Sequence, residues 1–155
     1  MTAIMTMTVP NRLSQIRQLL EHQQAQEALR LLEHTEKHND DLQNAYAVCL
    51  MRVGRVGEAL KILRAMTFKD LPAIPAETSA LLQANYATAL LLSGDNLQAI
   101  DILNRLEDQA HPYVAKLKKS IDDFKEHLTW WERVAWTMTV YPSRRVPLGF
   151  APGEI

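Results

Sequence analysis

The sequence predicts an all-α chain of stacked helix hairpins, and three observations carry that expectation. Apolar residues recur at spacings of three and four along most of the chain, the spacing of one face of a 3.6-residue helix. Only 5 glycines occur in 155 residues, and strand-like alternation is nearly absent before the last dozen. A block of residues is also copied, in register, 40 positions further on.

The elements follow in order. Pro10 suits a first helical turn, where a missing amide donor costs nothing, and Leu13, Ile16, Leu19 and Leu20 make one apolar stripe. The polar patch His22–Gln24 ends it, and Ala25, Ala28, Leu29 and Leu32 make a second. Asn39, Asp40 and Asp41 supply a cap and favourable charge for a third helix over about 41–53, closed by Gly54. Glu58 to Met66 continue as a fourth. The run Lys69-Asp70-Leu71-Pro72-Ala73-Ile74-Pro75 cannot be helix interior. A fifth helix is expected from about Ala76 to Ser93, ended by Gly94, and a sixth from Asp95 towards Glu107. His111-Pro112 precedes a long seventh. The division is then a flexible N-terminus over 1–9, a helical domain over 10–139 and an extended tail over 140–155.

The chain suits one domain, large enough to bury roughly 68–70% of its unfolded surface. With 17 basic against 18 acidic residues, nothing argues for nucleic acid, whose partners carry a basic face. Cys49, the single cysteine, reads as a small buried hydrophobe between Val48 and Leu50 and fits a reducing compartment. No signal-peptide pattern opens the chain and no 18-residue apolar run crosses it, so a cytoplasmic protein without a transmembrane segment is expected.

The repeat is specific. Tyr46, Ala47, Leu50, Gly54, Ala59, Leu60, Ile62 and Leu63 recur as Tyr86, Ala87, Leu90, Gly94, Ala99, Ile100, Ile102 and Leu103. The alanines let paired helices approach closely, the glycines take a reversal with positive φ, and the tyrosines fill the space between hairpins. A fainter copy, Glu27-Ala28-Leu29 with Leu32, precedes Glu58-Ala59-Leu60 with Leu63 by 31 residues, and places Gln23 where the turn glycine would stand. In these residues the chain, over roughly 11–107, resembles the tetratricopeptide repeat family. Its unit is a helix–turn–helix of about 34 residues. The longer displacement is absorbed by the two-proline connection, and Gln43 and Gln83 stand where the family's first-helix tryptophan is usual.

That resemblance implies a right-handed α-solenoid of about three hairpins plus a capping helix. It also implies a non-catalytic role in binding proteins, as adaptor, scaffold or chaperone. The expected partner is a peptide or helix held in a concave groove lined by the first helix of each hairpin. Placed on this sequence, the groove residues are Asn44, Val48, Met51, Arg52, Leu81, Ala84, Asn85, Thr88, Leu91, Lys118 and Asp122. The alternative at those positions is plain solvation or contact with the tail. A family subtype that grips a C-terminal carboxylate with cations finds only Asn85 and Lys119 here, and small three-repeat secretion chaperones are a further possible relative.

An end cap is expected from Val114, Leu117, Ile121, Phe124, Leu128 and Trp131, which step by three and four. Trp130, Trp131 and Trp136 then crowd into seven residues, more than one helix face can bury. In the tail Val146, Leu148 and Phe150 alternate between prolines 142, 147 and 152, as an extended segment would. Three readings stand open, one of them a shallow membrane contact that Glu132 and Arg133 do not exclude but no basic face supports. The tail folds back over the tryptophans to finish the core, or Trp130, Trp131, Trp136 and Phe150 form an interaction surface, with a homodimer as one outcome. Catalysis finds no foothold: His34 with His38 and Asp123 with His127 have ligand spacing but no further ligand, and Asp40–Asp41 and Asp122–Asp123 are read as helix-start and solvated carboxylates. No cofactor and no metal are expected.

Overall fold

A computed structural model describes residues 8–35 and 39–155, and within them the chain forms eight α-helices. They are α1 Val9–Glu21, α2 Ala25–Glu33, α3 Asp40–Arg52, α4 Val56–Phe68, α5 Ala80–Ser93, α6 Asn96–Arg105, α7 Pro112–Glu126 and α8 Trp130–Thr137. No strand occurs among the described residues. Consecutive helices pair as hairpins, α1 with α2, α3 with α4 and α5 with α6, and α4 carries the contact from one hairpin to the next by packing on α5. The odd-numbered helices also touch in turn, α1 on α3, α3 on α5 and α5 on α7, and so form one layer.

The turns explain why the degenerate first copy still folds. Gly54 and Gly94 sit at φ +85 and +92, and the residue after each donates to the carbonyl five positions back, Arg55 to Leu50 at 2.8 Å and Asp95 to Leu90 at 3.0 Å. Gln23 takes φ +60 at the same place, and Gln24 donates to Leu19 at 2.8 Å. The backbone bonds are those of the glycine turns, and the side chain bears the strain. Behind them Ala28, Ala47, Ala59, Ala87 and Ala99 are completely buried, as close helix contact requires. Tyr86 fills the space above α4 with its ring edge-on to Phe68, centroids 5.8 Å apart.

Three boundaries differ from expectation. The fifth helix starts at Ala80, because Ser79 caps it by accepting from Leu82 N–H, and residues 69–79 form the connection. Val9 is already helical, so the segment expected to be flexible is entered by α1, while residues 1–7 lie outside the described part. The long seventh helix is two helices. Thr129 closes a capping box with Glu132: the Glu132 N–H donates to the Thr129 hydroxyl, and the Thr129 N–H donates back to the Glu132 carboxylate at 2.8 Å. Val114, Leu117, Ile121, Phe124 and Leu128 are buried as the cap stripe requires. Trp131 lies beyond the break, outside that stripe and 73% exposed.

Candidate protein-interaction face

The layer of odd-numbered helices is where the expected groove residues lie, and the tail runs along it. From Tyr141 to Ile155 the chain crosses α5, α7, α3 and α1, held mainly by side chains that bond its main chain. Tyr141 sets its ring against Trp136, centroids 4.6 Å apart. The Asn96 amide donates to the carbonyls of Pro142 at 2.6 Å and Arg144 at 2.8 Å. Val146 is buried and donates its N–H to the Leu91 carbonyl at 3.2 Å. Leu148 and Phe150 follow on the same side, and the Phe150 ring stands edge-on to Tyr113 at 5.9 Å.

The last residues are held most closely. Arg52 donates from Nε to the Pro152 carbonyl at 3.1 Å and from a terminal nitrogen to the Gly153 carbonyl at 2.9 Å, while its other nitrogen reaches Leu20 at 3.2 Å. Asn85 reads both sides of Glu154, accepting from its N–H at 3.0 Å and donating to its carbonyl at 2.8 Å. A second donation from Asn85, to Asn44 Oδ1 at 2.9 Å, orients Asn44 to donate to the same Glu154 carbonyl at 3.3 Å. Arg17 donates to the Ile155 backbone oxygen at 2.8 Å.

One chain of hydrogen bonds has a fixed direction. The Gly153 N–H can only donate, and does so to the Tyr113 hydroxyl at 2.6 Å. The Thr88 hydroxyl, 2.8 Å from the Ala84 carbonyl, must donate there. Tyr113 therefore donates to Thr88, across 2.8 Å. The relay is complete only with Tyr113 neutral, and burial pushes its pKa up to about 12. Burial likewise lowers the Arg52 pKa, opposed by its neighbours Cys49, Tyr113 and Glu154. Cys49 itself is buried and pushed up to about 12, mainly by desolvation. That environment keeps it a thiol, as a packing residue would be.

Of the expected groove residues, Asn44, Arg52, Asn85, Thr88 and Leu91 join this hydrogen bonding, and Val48 and Met51 form the floor beneath Gly153. Ala84 is buried and enters through its carbonyl. Leu81 makes none of these bonds and lines, with Asn44, Asp40, Asp41 and Lys69, a cavity of about 250 Å³. Lys118 donates to the Gln109 side chain, and Asp122 is exposed on α7. A larger cavity, about 530 Å³ between the two-proline connection and α6, contains none of them.

The four aromatic residues expected as one surface are divided. Phe150 belongs to the tail's seat on Tyr113, and Trp136 lies between Phe124 and Tyr141. Trp130 and Trp131, 65% and 73% exposed, remain outside with Val134, Met138 and Val140. The tail thus covers Trp136 alone of the three tryptophans and spends the rest of its length on the helix layer.

Sequence reasoning missed Tyr113, Asn96 and Arg17. Only Tyr113 gave a signal, as a large aromatic in the first turn of a helix on the expected groove side. Among the described residues no group of three or more His, Cys, Asp or Glu stands where it could hold a metal, and His38 lies outside them. No helix there is long and apolar enough to cross a membrane.

The tetratricopeptide repeat family model matches residues 19–76, from the end of α1 through α4 and into the two-proline connection. That span includes the copy turned by Gln23. The α5–α6 pair lies beyond it and is joined to it by the 40-residue repeat and the identical turn. Comparisons with curated proteins and with solved structures find no match.

Proposed function

From the premise that the chain is a tetratricopeptide repeat protein, a family whose repeats mediate protein–protein interaction, we propose that it is a non-catalytic interaction module. Its binding site is the layer formed by α1, α3, α5 and α7, and its partner offers an extended segment rather than a helix. One observation carries this reading: the face holds a peptide already, its own residues 141–155, through side chains directed at main-chain atoms. Amide and guanidinium groups aimed at a backbone suit an extended chain, whose N–H and C=O groups point outward, and not a helix, which satisfies its own. The adaptor, scaffold or chaperone role is then to present this face within a cytoplasmic assembly.

Affinity capture tests it with two baits that both end at Val140, so that the tail cannot compete, one otherwise natural and one carrying Asn85→Ala. A protein partner recovered in stoichiometric amount by the first and lost from the second supports the reading. Equal recovery by both, or none by either, counts against it.

A second reading, self-association, is favoured by five large apolar side chains left exposed within residues 130–140, Trp130, Trp131, Val134, Met138 and Val140. Light scattering decides: a strict monomer at high concentration removes it.

A further inference from the structure

The way Gly153 is seated says more about the ligand than that it is not a helix. Its φ is +80, a conformation L side chains rarely adopt. A β-carbon built there would lie 2.8 Å from Val48 Cγ2, 2.9 Å from Val48 Cγ1 and 2.8 Å from Met51 Cε. The Met51 methyl could swing aside, but Val48 is fully buried in α3 and stiff at χ1. Nor can the segment slide to avoid the contact. Tyr113 holds the Gly153 N–H, Arg52 its carbonyl, and Asn85 both sides of the next residue. Upstream, the Phe150 ring stands edge-on to Tyr113, and Val146 is buried and donates its N–H to the Leu91 carbonyl, so the register is pinned at both ends.

At the other end of the tail the junction is strained. Thr139, β-branched, sits at φ +60 in the same turn that Gly54 and Gly94 make, with Val140 N–H donating to Ala135 at 2.9 Å. Met138 and Val140 beside it are exposed.

Resting on the function proposed above, we propose that this face selects a non-helical partner segment carrying an aromatic residue and, three positions later, a glycine in a left-handed bend, and that residues 141–155 are a resident copy of that ligand which the partner must displace. The glycine is read by Val48, the aromatic by Tyr113 and the main chain by Arg52 and Asn85. Displacement is a competition with a tethered rival, whose effective concentration over a short linker is of the order of millimolar. Only a partner with the full pattern enters.

The full chain, with residues 137–140 replaced by a protease recognition sequence, is folded and then cut, so the tail remains seated without its tether. Fluorescence anisotropy follows uptake of a labelled synthetic peptide of residues 141–155. The cut chain should take it up at least ~10-fold more tightly than the uncut chain. An unlabelled competitor with Gly153→Ala should be at least ~10-fold weaker than the natural peptide, as overpacking at a tight contact implies. In a cut chain with Val48→Ala that gap should narrow, a rescue that a general loss of affinity would not produce.

Equal competition by the glycine and alanine peptides overturns the selection while leaving the face as a peptide site. A cut chain that keeps its helical circular dichroism but takes up no natural peptide overturns both this proposal and the function beneath it. Unfolding on cutting makes the tail part of the core and overturns its role as an exchangeable occupant. A dimer of the uncut chain on light scattering, with the tail of one copy in the other, assigns the face to a second copy and overturns a separate partner.

Discussion

Gln23 carries a cost that its two equivalents avoid. At φ +60 its β-carbon crowds the following carbonyl, whereas Gly54 and Gly94 take the same turn freely. Gln23→Gly should stabilise the protein by about 0.5–1 kcal/mol, the strain relieved less the extra freedom glycine gains when unfolded. Urea denaturation of the two proteins, compared at equal m-value, checks it. Tyr113 makes an alkaline prediction. Its folded pKa, about 12, lies above its ordinary value of 10.0, so the stability from keeping it neutral is full below pH 10 and is lost as pH rises from 10 to 12. That loss is about 2–3 kcal/mol. Denaturation midpoints at pH 9 and 11.5 should show it, and Tyr113→Phe should be less sensitive over that window, Cys49 contributing the remainder.

At the scale of elements, α8 depends on its start more than on its faces, since none of its residues is buried. Thr129→Ala removes the hydroxyl that accepts from Glu132 and should cost α8 about 1 kcal/mol. The effect should appear as a change in tryptophan fluorescence with almost no shift in the global melting temperature, because α8 lies outside the core of the hairpins. The capping box Thr129-x-x-Glu132 was legible in the sequence, but the apolar stepping through Leu128 to Trp131 ran over it and suggested one long helix. The repeated hairpins were plainer, because close-packed alanines and turn glycines leave a periodic record of side-chain type. The start of α5 was not, since Ser79 caps it after two prolines that both permitted an earlier beginning. Even the degenerate turn could be placed, from register alone, although glutamine does not announce a left-handed conformation.

At the scale of the molecule, the tail joins helices that are distant in sequence, and this was the least legible feature. Asn85, Asn44 and Arg52 fall in the groove by their place on first helices, but what they hold is main chain, and main chain carries no residue code. Only Val146, Leu148 and Phe150 marked the tail as more than a linker, and their alternation pointed equally well to the tryptophans. Everything proposed for this face requires that the tail occupy the helix layer in solution. Hydrogen–deuterium exchange of the full chain, resolved at single amides, measures this most directly. The amides of Val146, Gly153 and Glu154, donating to Leu91, Tyr113 and Asn85, should exchange well below their unstructured rates, yet faster than the core amides of α3 and α5, since the tail opens without global unfolding. Exchange of those three amides at unstructured rates, with α3 and α5 still protected, would contradict it.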